Sequence, residues 1–173
     1  GHLRAARPLV TTVGTLGSAG RALVDPRGHI TAVGEGWSLD WWIGADDRWH
    51  VAAREAAVRQ QAVDAVPVLE TSMRIPNGNA VQRVYGVAGA AGLVVLDLQN
   101  RSPGAVAAAF VLRGRSDRPI RSVALEGTTL VIDGRPALVV PFAPSRWLVA
   151  RAGDPDAFDT VVAGAVPVRI SFM

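Results

Sequence analysis

LETSMRIPNGNAVQRVYGV, residues 69–87, is the stretch that decides the fold class. Leu69, Thr71, Met73 and Ile75 alternate with Glu70, Ser72 and Arg74. That period of two sends the two sets to opposite faces of a strand. Asn77-Gly78 follows, a pair that tolerates positive φ and predicts a tight hairpin turn. Ala80–Val87 reads as the returning strand.

Working outward, the same grammar repeats. Arg21–Asp25 and His29–Val33 flank Pro26-Arg27-Gly28, where Pro presets φ and Gly takes a positive one. Downstream, Gly89–Gly92 turns into a strand over Leu93–Leu98, and Asn100–Gly104 turns into Val106–Leu112. Ser122–Leu125, Thr128–Ile132 and Ala137–Pro141 continue the series, the last two joined around Asp133-Gly134. Arg146–Arg151 and Val166–Phe172 read as closing strands. Short strands with turn signals every eight to twelve residues predict an all-β fold, an antiparallel β-sandwich or barrel, in one domain over 1–173. One stretch dissents. VAAREAAVRQQAV, residues 51–63, is rich in helix formers, and its apolar residues recur at helical spacing. It is read either as one short helix near 51–62 or as a strand, since Val58, Gln60 and Ala62 also alternate.

Composition bounds the rest. The chain has 173 residues, 49% hydrophobic and 19% charged, enough to bury one core without staples. It has no cysteine, which excludes disulfides, thiol nucleophiles and thiolate metal sites. All 18 basic residues are Arg against 15 acids, a net charge of +3. The pI of about 10.8 reflects the absence of lysine more than a strong excess of charge. Only Arg113, Arg115, Arg118 and Arg121 cluster, in a Gly- and Pro-containing run that reads as a solvated loop. No nucleic-acid partner is therefore expected. The longest apolar run, Gly86–Leu96, is about half of what a membrane helix needs, so no membrane partner is expected either. Residues 1–22 resemble a weak export signal broken by threonines and glycines. The expected location is cytoplasmic, with export left open.

Several chemistries fall away on motif grounds. Gly14, Gly17 and Gly20, like Gly86, Gly89 and Gly92, have the wrong spacing for a dinucleotide fingerprint, and no lysine supports a phosphate loop. Both glycine sets are read as turns. No HExxH and no GxSxG occurs, and no cofactor is expected. Asp40, Glu55 and Glu70 are carboxylates without a partner visible in the sequence.

What remains is WSLDWWIGADDRWH, residues 37–50, which holds four of the five tryptophans. Trp37, Trp41, Trp42 and Trp49 interleave with Asp46, Asp47, Arg48 and His50. Indole faces stack on sugar C–H surfaces while carboxylates and guanidiniums bond hydroxyls, so the mixture suits carbohydrate. It suits a docking surface equally, where Trp and Arg dominate the energy. It also suits a packing node with indole N–H groups satisfied by Asp. On a strand Trp41 and Trp42 face opposite sides, while Asp46 and Arg48 share one.

WSLDWWIGADDRWHVAAREAAVRQ and VPVLETSMRIPNGNAVQRVYGV together resemble the amino-terminal part of a family of uncharacterised actinobacterial proteins, over about Gly36–Gly114. That family is similar to six-hairpin (α/α)₆ glycosidase-like proteins. The resemblance implies a supersandwich-like β-domain placed ahead of a helical toroid. It implies a non-catalytic module of a carbohydrate-active protein, whose partners are a helical catalytic domain or a carbohydrate. Any glycosidase activity would lie in that helical domain, and no catalytic residue carries over to this chain. The alternative is a free-standing barrel or sandwich that holds a small ligand between Val106–Leu112 and Leu93–Leu98.

Overall fold

The computed structural model describes residues 11–14, 21–63, 65–87, 93–115, 117–140, 146–150 and 160–165; for 11–14, 21, 146–150 and 160–165 it describes the backbone alone. Fifteen strands and no helix occur among them. The first five are β1 (Thr11–Gly14), β2 (Arg21–Val24), β3 (Ile30–Ala32), β4 (Trp37–Gly44) and β5 (Trp49–Val51). Then come β6 (Val58–Ala62), β7 (Leu69–Ile75), β8 (Gly78–Gly86), β9 (Val94–Arg101) and β10 (Ala107–Gly114). The series closes with β11 (Val123–Glu126), β12 (Thr129–Ile132), β13 (Arg135–Val139), β14 (Arg146–Ala150) and β15 (Thr160–Ala165).

They form three antiparallel sheets. The largest runs β1-β2-β3-β4-β10-β15-β14. One edge of β4 is shared: β3 pairs with Ser38 and Leu39, while β5 pairs with Trp42, Ile43 and Gly44. Its other edge is paired along its whole length with β10. The second sheet is the meander β6-β7-β8-β9, and the third is β11-β12-β13.

Alternation in these strands sends apolar side chains into two clusters. Ala22, Val24, Ile30, Leu39 and Leu112 of the large sheet meet Leu69 and Val84 of the meander and Leu130 and Ile132 of the small sheet. Trp41, Ile43, Val106 and Ala108 meet Met73, Ile75, Ala80 and Leu98 in the second cluster. Burying such side chains contributes roughly 1.5–3 kcal/mol each, which is what binds the sheets to one another.

Two turns show local chemistry at work. Asp133 and Gly134 both take positive φ, 51° and 76°, between the paired ends Ile132 and Arg135. That is the primed geometry that matches strand twist. The hairpin of the decisive stretch turns one residue earlier than Asn77-Gly78. Ile75 pairs with Gly78, so Pro76 and Asn77 are the central residues, and only Asn77 has positive φ, 61°. Pro76 fixes φ negative at the first central position and selects a type II turn instead of the primed kind. Gly78 is then the first residue of β8, where an added Cβ would lie 2.1 Å from the Arg101 carbonyl oxygen.

The helical alternative near 51–62 is overturned. Ala52–Arg54 is a turn, and Val58–Ala62 is the edge strand β6, paired with Leu69–Met73 of β7. Tertiary pairing overrides helix propensity here. Arg27 Nη1 also donates to the carbonyls of Ala52 (2.9 Å) and Glu55, which would otherwise bond within a helix. The expected closing strand Val166–Phe172, the export-like residues before Thr11, and the turn Gly89–Gly92 lie outside the described residues. Thr11–Gly14, read as part of that leading segment, is strand β1.

Candidate functional site

The tryptophan-rich segment is a hairpin, β4–β5, and the hairpin distributes its side chains over two faces. Ala45 N–H donates to the Arg48 carbonyl at 3.0 Å, closing the turn. Asp46 and Arg48 sit in this turn and not on a strand, so simple alternation does not place them on one face.

Trp41 points inward. It is completely buried, and its Nε1 donates to the Arg27 carbonyl at 3.1 Å. Trp37 is half-buried and packs against the first core cluster. These two tryptophans belong to the interior.

Trp42 and Trp49 point the other way. Trp42 pairs with Val51 and Gly44 with Trp49, so the two indoles are diagonal neighbours on one face. Their centroids are 6.5 Å apart and their planes 65° apart, an edge-to-face contact. Gly44 makes room for it, since an added Cβ there would be 3.2 Å from the Trp49 ring. Trp49 is 50% exposed, while the Nε1 of half-buried Trp42 is closed off from solvent and has no hydrogen-bond partner. Asp46, Asp47 and Arg48 are exposed in the turn that joins the two strands.

His50 lies on the inner face of β5 and is 3% exposed. Its Nε2 is 2.9 Å from Asp47 Oδ1, and its Nδ1 stands 3.3 Å from Glu55 Oε1, misaligned for a hydrogen bond. Arg48 closes over the group: Nη1 donates to Glu55 Oε1, and Nη2 donates to Oε2 at 3.2 Å. The His50 imidazole holds the Asp47 carboxyl below the usual carboxylate range. The Arg48 guanidinium does the same to Glu55, and Glu55 raises Arg48 in return. An imidazole flanked by two carboxylates has the parts of an acid–base pair, but the ring is almost wholly closed off from solvent. The group ties β5 to the turn that follows it. Among the described residues no group of three or more His, Asp or Glu is disposed to hold a metal.

The three carboxylates without visible partners all have arginine partners in space. Arg113 Nη1 is 3.4 Å from Asp40 Oδ2, Arg48 holds Glu55, and Arg83 Nε is 2.8 Å from Glu70 Oε2. The arginine run is likewise engaged. Arg115 pairs with Asp117 at 2.9 Å, and Arg118 Nη1 donates to the Gly34 carbonyl at 3.2 Å. Arg27 and Gln82, which anchor the turn behind Trp41, gave no sequence signal, because their partners are 25 and 54 residues away.

Comparison with protein-family models, with curated proteins and with solved structures finds no match to this chain.

Proposed function

We propose that this chain is a non-catalytic β-sandwich module of a carbohydrate-active, glycosidase-like protein, and that it contacts sugar through the Trp42–Trp49 face. The observation that carries the reading is Trp49: half exposed and fixed edge-on by Trp42 on the outer face of the β4–β5 hairpin. A docking surface would offer a contiguous apolar patch of several hundred Å². Among the described residues the other exposed large hydrophobics are Val33, Val66 and Leu93, in three separate loops, and Val139 at the end of β13. An isolated, immobilised indole face fits a sugar ring better than a second domain.

The small-ligand alternative draws less support. Val106 and Ala108 do face Leu98 across the second cluster, but the void between them is about 10 Å³, room for roughly one water.

Binding to insoluble polysaccharides and to a glycan array, followed by tryptophan fluorescence, tests the proposal. Saccharide binding that quenches or shifts fluorescence and disappears in Trp49→Ala supports it. Absence of binding across the array, or binding unaffected in Trp49→Ala, overturns it.

A further inference from the structure

The face of the meander turned away from the core carries a second cluster, separate from the aromatic site. Cross-strand register aligns Gln61, Glu70, Arg83 and Asp97 in one row across β6, β7, β8 and β9. Two rows along, Arg74, Asn79 and Arg101 align in the same way. Glu70 is only 7% exposed, and two guanidiniums converge on it. Arg83 Nε donates to Oε2 at 2.8 Å, and Arg101 Nη1 stands 3.5 Å from Oε1. Gln61, Ala62 and Val63 complete the wall of an open hollow of about 410 Å³.

Charge decides what such a hollow takes. Asp97 sits beside Arg83 on the same face, but Arg59, Arg74, Arg83 and Arg101 there outnumber Glu70 and Asp97 and leave a positive excess. Arg83 uses its Nε on Glu70, and its two terminal amino groups have no partner among the described residues. Arg101 donates from Nε and Nη2 to Gln99 Oε1 at 3.1 and 2.9 Å, which fixes its plane. Both side chains remain partly open, 35% and 46% exposed. Guanidinium groups held in plane and short of one anion are suited to planar or tetrahedral oxyanions, which accept paired N–H donors. We propose that this hollow binds the oxyanion of a small molecule, a carboxylate or a phosphate monoester, between Arg83 and Arg101.

A salt-bridge ladder that merely ties strands together would show the same distances, so the test separates the two roles. The full chain is titrated at constant ionic strength with sodium glucuronate, with glycerol 2-phosphate, and with glucose as a neutral control. Arginine Nε–H resonances are followed by NMR. Saturable shifts confined to Arg83 and Arg101 are expected with an anion and not with glucose; whichever anion binds tighter names the class. Arg101→Gln, a change at a half-exposed position, weakens binding by about tenfold or more. Glu70→Gln releases both guanidiniums and strengthens binding by a similar factor. The proposal is overturned by the lack of a saturable shift with either anion, by parallel shifts of all exposed arginines, or by equal binding of glucose. It is also overturned if Arg101→Gln leaves the affinity unchanged.

Discussion

Trp41 and Gln82 belong to different sheets yet donate to consecutive carbonyls of one turn. Trp41 Nε1 reaches Arg27 O at 3.1 Å, and Gln82 Nε2 reaches Gly28 O at 2.9 Å. Both residues are fully buried, so the Pro26–Gly28 turn is a polar peg driven between the large sheet and the meander. Gln60 adds a third tie, donating from Nε2 to the Asp25 carbonyl. Buried carbonyls left unsatisfied would each cost about 1–3 kcal/mol, which makes this turn a point where both sheets are held in register.

Gly28→Ala should therefore be among the most damaging small substitutions. Gly28 has φ of +77°, and an added Cβ would lie 2.4 Å from Gln82 Oε1 and 2.7 Å from Trp41 Nε1. Backbone strain of about 1–3 kcal/mol adds to the loss of buried hydrogen bonds. Urea unfolding is expected to show a loss of about 3 kcal/mol; a change below about 1 kcal/mol would contradict the peg.

The tryptophans should sort by face. Trp41→Ala is expected to cost roughly 3–5 kcal/mol, as for a large core side chain. Trp49→Ala should cost only about 1 kcal/mol, the edge-to-face contact with Trp42. Equal losses at both positions in chemical denaturation would mean that Trp49 is structural and not a contact residue.

Acid should loosen the β5 clasp. Asp47 and Glu55 have carboxyls held below their ordinary range, by His50 and by Arg48 respectively. A group depressed in the folded state contributes stability above its unfolded pKa and loses it as pH falls through the folded one. Stability should thus decline as pH drops below the ordinary carboxylate range. Glu55→Gln should flatten that decline; denaturation midpoints measured in steps from neutral to acid pH check it, and an unchanged slope would refute the role of Glu55.

Tyr85, the chain's single tyrosine, gives a clean alkaline readout. Its phenol is raised above the ordinary value, first by burial and then by Asp97, whose Oδ2 accepts the hydroxyl at 3.1 Å. A raised folded pKa contributes stability below the unfolded value, lost as pH rises through the folded one. Phenolate absorbance should appear later in the titration for the folded chain than for the chain in urea. Coincident curves would refute the shift.

Legibility followed the range of the interactions. Asp133-Gly134 and Pro26–Gly28 were readable because their φ values are dictated by the residues themselves. The opposite facing of Trp41 and Trp42 followed from strand alternation alone. The 76–77 turn slipped by one because Pro76, next to the Asn-Gly pair, outweighs it. Residues 51–63 were ambiguous because helix formers there are overruled by β7 and by Arg27, neither of which is local. Glu55 as a partner of Arg48 and His50 was hidden by the same ambiguity. The Glu70 hollow was equally hidden, since it depends on the register of four strands.

The shared edge of β4 also has a consequence in time. β5 and β3 are short and close to β4 in sequence, but β10, which pairs β4 along its full length, lies roughly 70 residues downstream. A chain emerging at about 5–20 residues per second keeps β4 waiting for several seconds before that neighbour exists. Throughout that interval Trp41 has neither Ala108 nor Leu98 to cover it, and one full edge of β4 is open to any other strand. The nascent Trp37–Gly44 segment is thus exposed to mispairing during synthesis until β10 has emerged.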